Sequence, residues 1–161
     1  MTPNPKDFSE ELIDLIGERE NICRHIHLPL QSGSTEVLRR MNRHYTKESY
    51  LALVRRIREK LPDVSLTTDI IVGFPGESER DFQDTMDVVR RVGFDSAFTF
   101  VYSKRSGTPA AKWERVSEEL VKDRFHRLLD AVRESSAENE GRDIGKVMEV
   151  LVEERDREKP G

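Results

Sequence analysis

Residues 65–80 read SLTTDIIVGFPGESER. Val64, Leu66, Ile70, Ile71 and Val72 supply the apolar and β-branched content of a buried strand. Gly73, Pro75 and Gly76 stop it. Ser78 is suited to cap a helix, and Asp81 completes a capping-box-like pair in which Asp stands in for Glu. Phe82, Met86, Val89 and Val92 then recur at helical spacing. The stretch predicts a strand, a tight turn and a helix.

Backbone amides at a helix N-terminus attract anions, so such a turn invites a phosphate-loop reading. The residues argue against it. No Lys followed by Ser or Thr is present in the turn. Glu77, Glu79 and Asp81 already supply negative charge at the positive end of the helix dipole. A neutral or cationic ligand that donates hydrogen bonds fits better: ribose hydroxyls, an adenine edge, an ammonium or a sulfonium. The alternative is an ordinary strand-to-helix turn without a ligand.

Outward from this stretch, Ser9 predicts a cap for a helix with Leu12, Ile13 and Ile16 inward and Gly17 as its stop. Residues 22–30, ICRHIHLPL, alternate as a strand limited by Pro29. Ser34 caps a short helix, and Thr46 starts a longer one with Tyr50, Val54, Ile57 and Leu61 on one face. A third strand is expected over 94–102, FDSAFTFVY. Ser117 then caps a long helix with Val121, Phe125, Leu128 and Val132 buried. Residues 146–153, KVMEVLVE, alternate like a new strand.

Strands alternating with helices imply βα units and a parallel sheet. The three strands end in LQSGS, GFPGE and YSKRSGT. In a parallel sheet these ends share one rim, where α/β folds bind ligands. Three strands do not close a barrel, and the first helix lacks a preceding strand. Both ends therefore read as cut from a larger protein.

Composition narrows the class. The 161 residues are 35% hydrophobic and 36% charged, with net charge −4, so no bulk positive charge demands a nucleic-acid partner. No apolar run approaches the roughly 18 residues of a membrane span, and the first residues have no apolar signal core. The single cysteine, Cys23, forbids an internal disulfide and fits a reducing cytoplasm. Cys23 is expected as a small core residue. His25 and His27 share one side of their strand; packing is favoured over metal binding, since no third ligand is near in sequence. Asp69 is either a buried structural carboxylate or a ligand-facing group. Gln31 and Ser32 offer short polar groups at the first rim turn. Arg39, Arg40, Arg43, His44 and Lys47, with Lys104 and Arg105, are either a path for RNA phosphates or solvated helix faces.

Five segments in order (HLPLQSGS, RRMNRHYT, LTTDIIVGFPGE, FDSAFTF and YSKRSGTPAA) resemble the second half of the catalytic domain of the radical S-adenosylmethionine (SAM) methylthiotransferase family, in its tRNA-modifying, MiaB-type branch. The resemblance covers residues 4 to about 140, and residues 145–153 are similar to the opening strand of an RNA-binding TRAM domain. It implies an α/β partial TIM-like barrel over 1–140, followed by a linker and a truncated strand over 141–161. It implies SAM at the C-terminal rim, with Gln31, Ser32, Asp69, Ile71, Val72, Gly73, Tyr102 and Ser103 near it. Arg39, Arg43, Lys47 and Arg105 become candidate contacts to tRNA. In that family a 4Fe–4S cluster held by a CxxxCxxC loop cleaves SAM, a second cluster on an N-terminal domain helps deliver the sulfur, and a methylthio group is inserted at C2 of N6-isopentenyladenosine beside the anticodon. This chain has no CxxxCxxC. Cluster ligands are thus expected outside it, no metal ligand or catalytic residue inside it, and the isolated chain is expected to be inactive. Its partners would be tRNA and the missing N-terminal half of the barrel. Unpaired sheet edges predict self-association. The alternative reading is a stand-alone α/β module that binds a nucleoside or a protein. A phosphate-sugar isomerase of the TIM type is disfavoured by the acidic turn.

Overall fold

A computed structural model describes residues 5–142 and 144–147. Its elements are α1 (Glu10–Glu18), β1 (His25–His27), α2 (Thr35–Arg40), α3 (Lys47–Lys60), β2 (Ser65–Val72), α4 (Glu79–Val92), β3 (Ser96–Val101) and α5 (Glu118–Gly141). Residues 5–7 and 109–112 form short 3-10 turns. The strands make one parallel sheet in the order β1-β2-β3. The expected strand over 146–153 lies almost wholly outside the described residues.

The helix starts follow their capping side chains. Ser9, Ser34, Thr46, Ser78 and Ser117 each accept a hydrogen bond from a backbone N–H of the first turn. Thr46–Ser49 and Ser78–Asp81 form complete capping boxes. Gly93 ends α4 in the left-handed conformation. Gly17 does not end α1, which runs on to Glu18.

Period-two burial organises β2. Leu66, Thr68, Ile70 and Val72 are buried, whereas Ser65, Thr67, Asp69 and Ile71 are partly exposed. The buried set joins Ile26, Leu28 and Leu30 with Tyr50, Leu53, Val54 and Ile57 of α3, Phe82, Met86 and Val89 of α4, and Leu128 and Val132 of α5. Helices thus cover one face of the sheet. The other face carries His25, His27, Thr67, Asp69, Ser96, Phe98 and Phe100 around an open groove of about 560 Å³. Phe98 and Phe100 are more than half exposed.

β1 is shorter than its alternation predicts. Pro29 has no N–H to donate, and side chains replace the ladder there. Leu30 N donates to Thr68 Oγ1, while Thr68 and Tyr50 hydroxyls donate to Leu28 O. Tyr45 Oη donates to Leu30 O at 3.0 Å, and burial pushes its phenol up to about 12. Pairing resumes only as a single bridge between Gln31 and Ile70. β3 likewise covers less than 94–102. Cys23, expected in the core, is exposed, because it precedes the paired part of the strand.

Candidate functional site

All three strands run the same way, so LQSGS, GFPGE and YSKRSGT meet at one rim. The first two are locked together through α4. Gly33 N donates to Thr85 Oγ1, and an added Cβ at Gly33 would stand 2.5 Å from Thr85 Cα. Only glycine permits that approach. Ser34 Oγ donates to Asp81 Oδ1, and Ser78 Oγ and its N–H donate to Asp81 Oδ2. One carboxylate therefore joins the N-termini of α2 and α4. Burial raises the Asp81 carboxyl, but the hydrogen bonds from Ser34 and Ser78 outweigh this and leave it lowered. Arg40 Nη1 donates to the carbonyls of Pro75 and Gly76.

The second turn is closed from inside. Glu77 is 5% exposed. Its Oε2 accepts from Gly73 N at 3.0 Å and from Arg124 Nη1 at 3.1 Å. Arg124 Nε reaches Glu79 Oε2 at 3.1 Å, and Arg127 Nη2 reaches Glu79 Oε1 at 2.7 Å. Burial pushes Glu77 up, an effect the Gly73 N–H and Arg124 only partly offset. The acidic helix start is therefore already matched by two arginines of α5. This corrects the sequence argument, in which those carboxylates were free to repel an anion. Arg124, 1% exposed, falls in a helical stripe that periodicity reads as apolar. Its Cζ lies 5.6 Å from the centre of the Phe82 ring.

The residues singled out from sequence divide into several groups. Gly73 and Tyr102 line a half-open cleft of about 290 Å³ with Val101, Val121 and Phe125. Tyr102 Oη is buried and has no hydrogen-bond partner among the described residues. Gln31, with φ +63°, closes the end of β1: its N–H donates to Asp69 O and its carbonyl accepts from Ile71 N. Asp69 and Ile71 lie on the bare face of the sheet, and Asp69 Oδ2 is 3.3 Å from His27 Nε2. Val72 turns its side chain into the helix-covered core, at 1% exposure, so only its backbone faces the rim. Ser32 is fully buried, and its hydroxyl accepts from Ser34 N, so it shapes the turn. Ser103 is exposed.

The basic candidates divide too. Lys47 is held by Asp84 and Asp87 at 2.7 and 3.0 Å, so it braces α3 against α4 rather than standing free for RNA. Arg39 pairs with Glu36 on the surface. Arg43 and Arg105 are exposed, and no ion pair occupies either among the described residues.

His25 Nε2 and His27 Nδ1 both lie 3.0 Å from Thr67 Oγ1. Among the described residues no three His, Cys, Asp or Glu side chains group closely enough to hold a metal. One exposed cysteine cannot supply the thiolates of an iron–sulfur cluster, so this chain's donor set does not fit that group. The unpartnered Tyr102 hydroxyl beside Gly73 does fit a nucleoside-like ligand offering a hydrogen-bond acceptor. Within the described residues no helix is long and apolar enough to cross a membrane.

The three strand ends of the one-sided parallel sheet gather at one rim, and the chain belongs to the radical SAM superfamily, whose family model matches residues 1–89. Among curated proteins it is 62% identical to the tRNA-2-methylthio-N(6)-dimethylallyladenosine synthase of Lachnoclostridium phytofermentans, over 96% of this chain and 34% of that protein. Proteins of the same name from Acetivibrio thermocellus and Caldicellulosiruptor saccharolyticus are 56% and 55% identical, over 94% and 95% of the chain and 32% and 33% of their own lengths. The chain thus spans about a third of the curated relatives it matches. Among solved structures, Escherichia coli coproporphyrinogen III oxidase, a radical SAM enzyme, superposes with TM-score 0.67 at 21% identity, covering 82% of this chain and 31% of that one. That likeness bears out the expected α/β partial barrel.

Proposed function

We propose that this chain is the C-terminal half of the SAM-binding barrel of a tRNA methylthiotransferase, one that adds a methylthio group to C2 of N6-isopentenyladenosine beside the anticodon. The observation that carries the reading is 62% identity, over 96% of the chain, to a protein named for that product. The rim geometry supports it. Gly73 and Tyr102 share a cleft, Gln31 ends the neighbouring strand, and Asp69, Ile71 and the backbone of Val72 lie between them. In this reading these residues bind and orient the nucleoside part of SAM, and Ser103 borders the entrance. SAM with a reduced 4Fe–4S cluster supplies radical chemistry when both are bound. The cluster ligands belong to the rest of the barrel, which pairs with this half.

The isolated chain is then inactive and works only when joined to that half. In this reading residues 141–161 lead into a TRAM-like RNA-binding domain. A tRNA-modifying role suits a cytoplasmic protein. The test is anaerobic reconstitution. The chain joined to the N-terminal portion that bears CxxxCxxC and the second, sulfur-delivering cluster, and supplied with SAM and a reductant, converts isopentenyladenosine to its 2-methylthio form in tRNA, and the chain alone does not. A cluster absorbance band with stoichiometric iron on the chain alone would refute the reading.

A further inference from the structure

We infer that the segment after β3, residues 103–117, is a docking platform for the single-stranded loop of the RNA substrate, with Trp113 as its stacking surface. The inference rests on the reading above that RNA is the substrate.

The segment departs from the rest of the molecule in charge. The chain as a whole is −4, yet 103–117 holds Lys104, Arg105, Lys112 and Arg115 against one acid, Glu114. Lys122 follows in the first turns of α5. Elsewhere many cations are spent internally, such as Lys47, Arg124 and Arg127. Among the described residues no ion pair holds Lys104, Arg105, Lys112, Arg115 or Lys122. Unpaired cations placed along an exposed loop suit a run of phosphates.

The aromatic partner is supplied by the fold. Phe74 of the GFPGE turn is 5% exposed. Tyr102 meets it edge-on at 5.2 Å, and Trp113 meets it edge-on at 6.0 Å. Trp113 is thereby pinned to the rim yet remains 38% exposed. An indole fixed by a T-shaped contact, with more than a third of its area open to solvent, offers a stacking platform for an unpaired base. The segment keeps its own shape: Thr108 Oγ1 donates to Arg105 O, Ala111 N to Thr108 O and Trp113 N to Ala110 O. Arg115 and Lys122 line the Tyr102 cleft directly, with Glu118 as the one acid among them. A nucleotide strand following the segment would therefore deliver its extruded base to the rim.

Trp113 is the chain's one tryptophan, so its fluorescence reports on this place alone. The probe is a synthetic, dye-labelled hairpin RNA carrying N6-isopentenyladenosine in its single-stranded loop. A blunt duplex of equal charge and anionic phospholipid vesicles are the controls. The hairpin is expected to quench Trp113 and to raise the dye's anisotropy with one shared dissociation constant. Trp113→Ala should weaken binding by about 5- to 150-fold, the range of one stacked base, and Trp113→Phe should retain most of it. Arg105→Ala and Arg115→Ala should each lower the slope of log affinity against log salt by about 0.7, the value for one phosphate contact on a single strand. Circular dichroism confirms that these surface variants are folded. Hairpin binding that leaves Trp113 emission and the variants' affinities unmoved overturns the inference while the functional reading stands. Absence of hairpin binding, or a response to vesicles or duplex alone, also overturns it. The functional reading itself fails only in the reconstitution assay.

Discussion

Arg124 and Glu77 form a buried ion pair: Nη1 lies 3.1 Å from Oε2, and each side chain is 1% exposed. The pair binds the long last helix to the turn after the central strand. Removing one partner strands the other charge, which typically costs about 3–5 kcal/mol. Arg124→Met is therefore expected to lower unfolding free energy by about that much in urea titration. The double substitution Arg124→Met with Glu77→Gln should recover a large part. A double variant no better than the single would show that the guanidinium's other contacts, to Glu79 and the Glu77 carbonyl, carry the effect.

Gly73 is there for two reasons. Its φ is +77°, and an added Cβ would stand 2.6 Å from Val121 Cγ2. Gly73→Ala should destabilise by about 1–2 kcal/mol for the left-handed backbone and by about 1–3 kcal/mol more for overpacking. Val121→Ala in the same chain should relieve the second part and leave the first. Thermal unfolding of the three variants separates the contributions.

Asp81 couples two rim turns through Ser34 and Ser78. A double-mutant cycle on Asp81→Ala and Ser34→Ala is expected to give a coupling of about 0.5–3 kcal/mol, as for residues sharing one hydrogen bond. Additive losses would mean that the turns are positioned by Thr85 and Gly33 alone.

Acid should loosen the buried clamp of α5 before its outer one, because burial raises the Glu77 carboxyl while Glu79 is held low. Burial raises the Glu79 carboxyl, yet hydrogen bonds from Arg127, Gln83 and Arg124 dominate and hold it at about 2, against an ordinary 4.5. Its folded value is depressed, so its contribution is complete above about pH 4.5 and is lost as pH falls towards 2. Glu79→Gln should flatten the stability profile within that window and leave its slope above pH 5 unchanged. Urea unfolding repeated across the acid range checks this.

The bare sheet face, with Phe98 60% and Phe100 52% exposed, should make the isolated chain associate. Sedimentation is expected to show a mass that rises with concentration, and Phe98→Lys with Phe100→Lys should return it to monomer. A wild-type chain that stays monomeric at all concentrations would count against this.

Much of the architecture was legible because it depends on local signals. Capping serines and threonines, Gly93, and the alternation of Leu66, Ile70 and Val72 each report on a few neighbouring residues. The parallel order followed from helices placed between strands. The site was less legible, because its contacts span the chain. Arg124 reaches Glu77 across 47 positions; its helical stripe turns it inward, but no nearby residue names the acid it meets. Ser32 carries the same hydroxyl whether it faces a ligand or a neighbouring amide, so sequence could not tell which. Lys47 belongs to a basic run but meets its acids only once α3 and α4 pack. Trp113 follows Lys104 and Arg105 in the same segment, but only the fold sets it against Phe74.

The alternation in β2 carries a consequence for descent. Even-numbered positions from Leu66 to Val72 face a finished interior within this chain, so natural selection sees them through folding alone. Odd-numbered positions from Ser65 to Ile71 face whatever lies across the sheet. Across diverging lineages the two sets should drift by different clocks: the even positions slowly and among apolar or hydroxyl residues of similar volume, the odd positions in step with the chain that covers them.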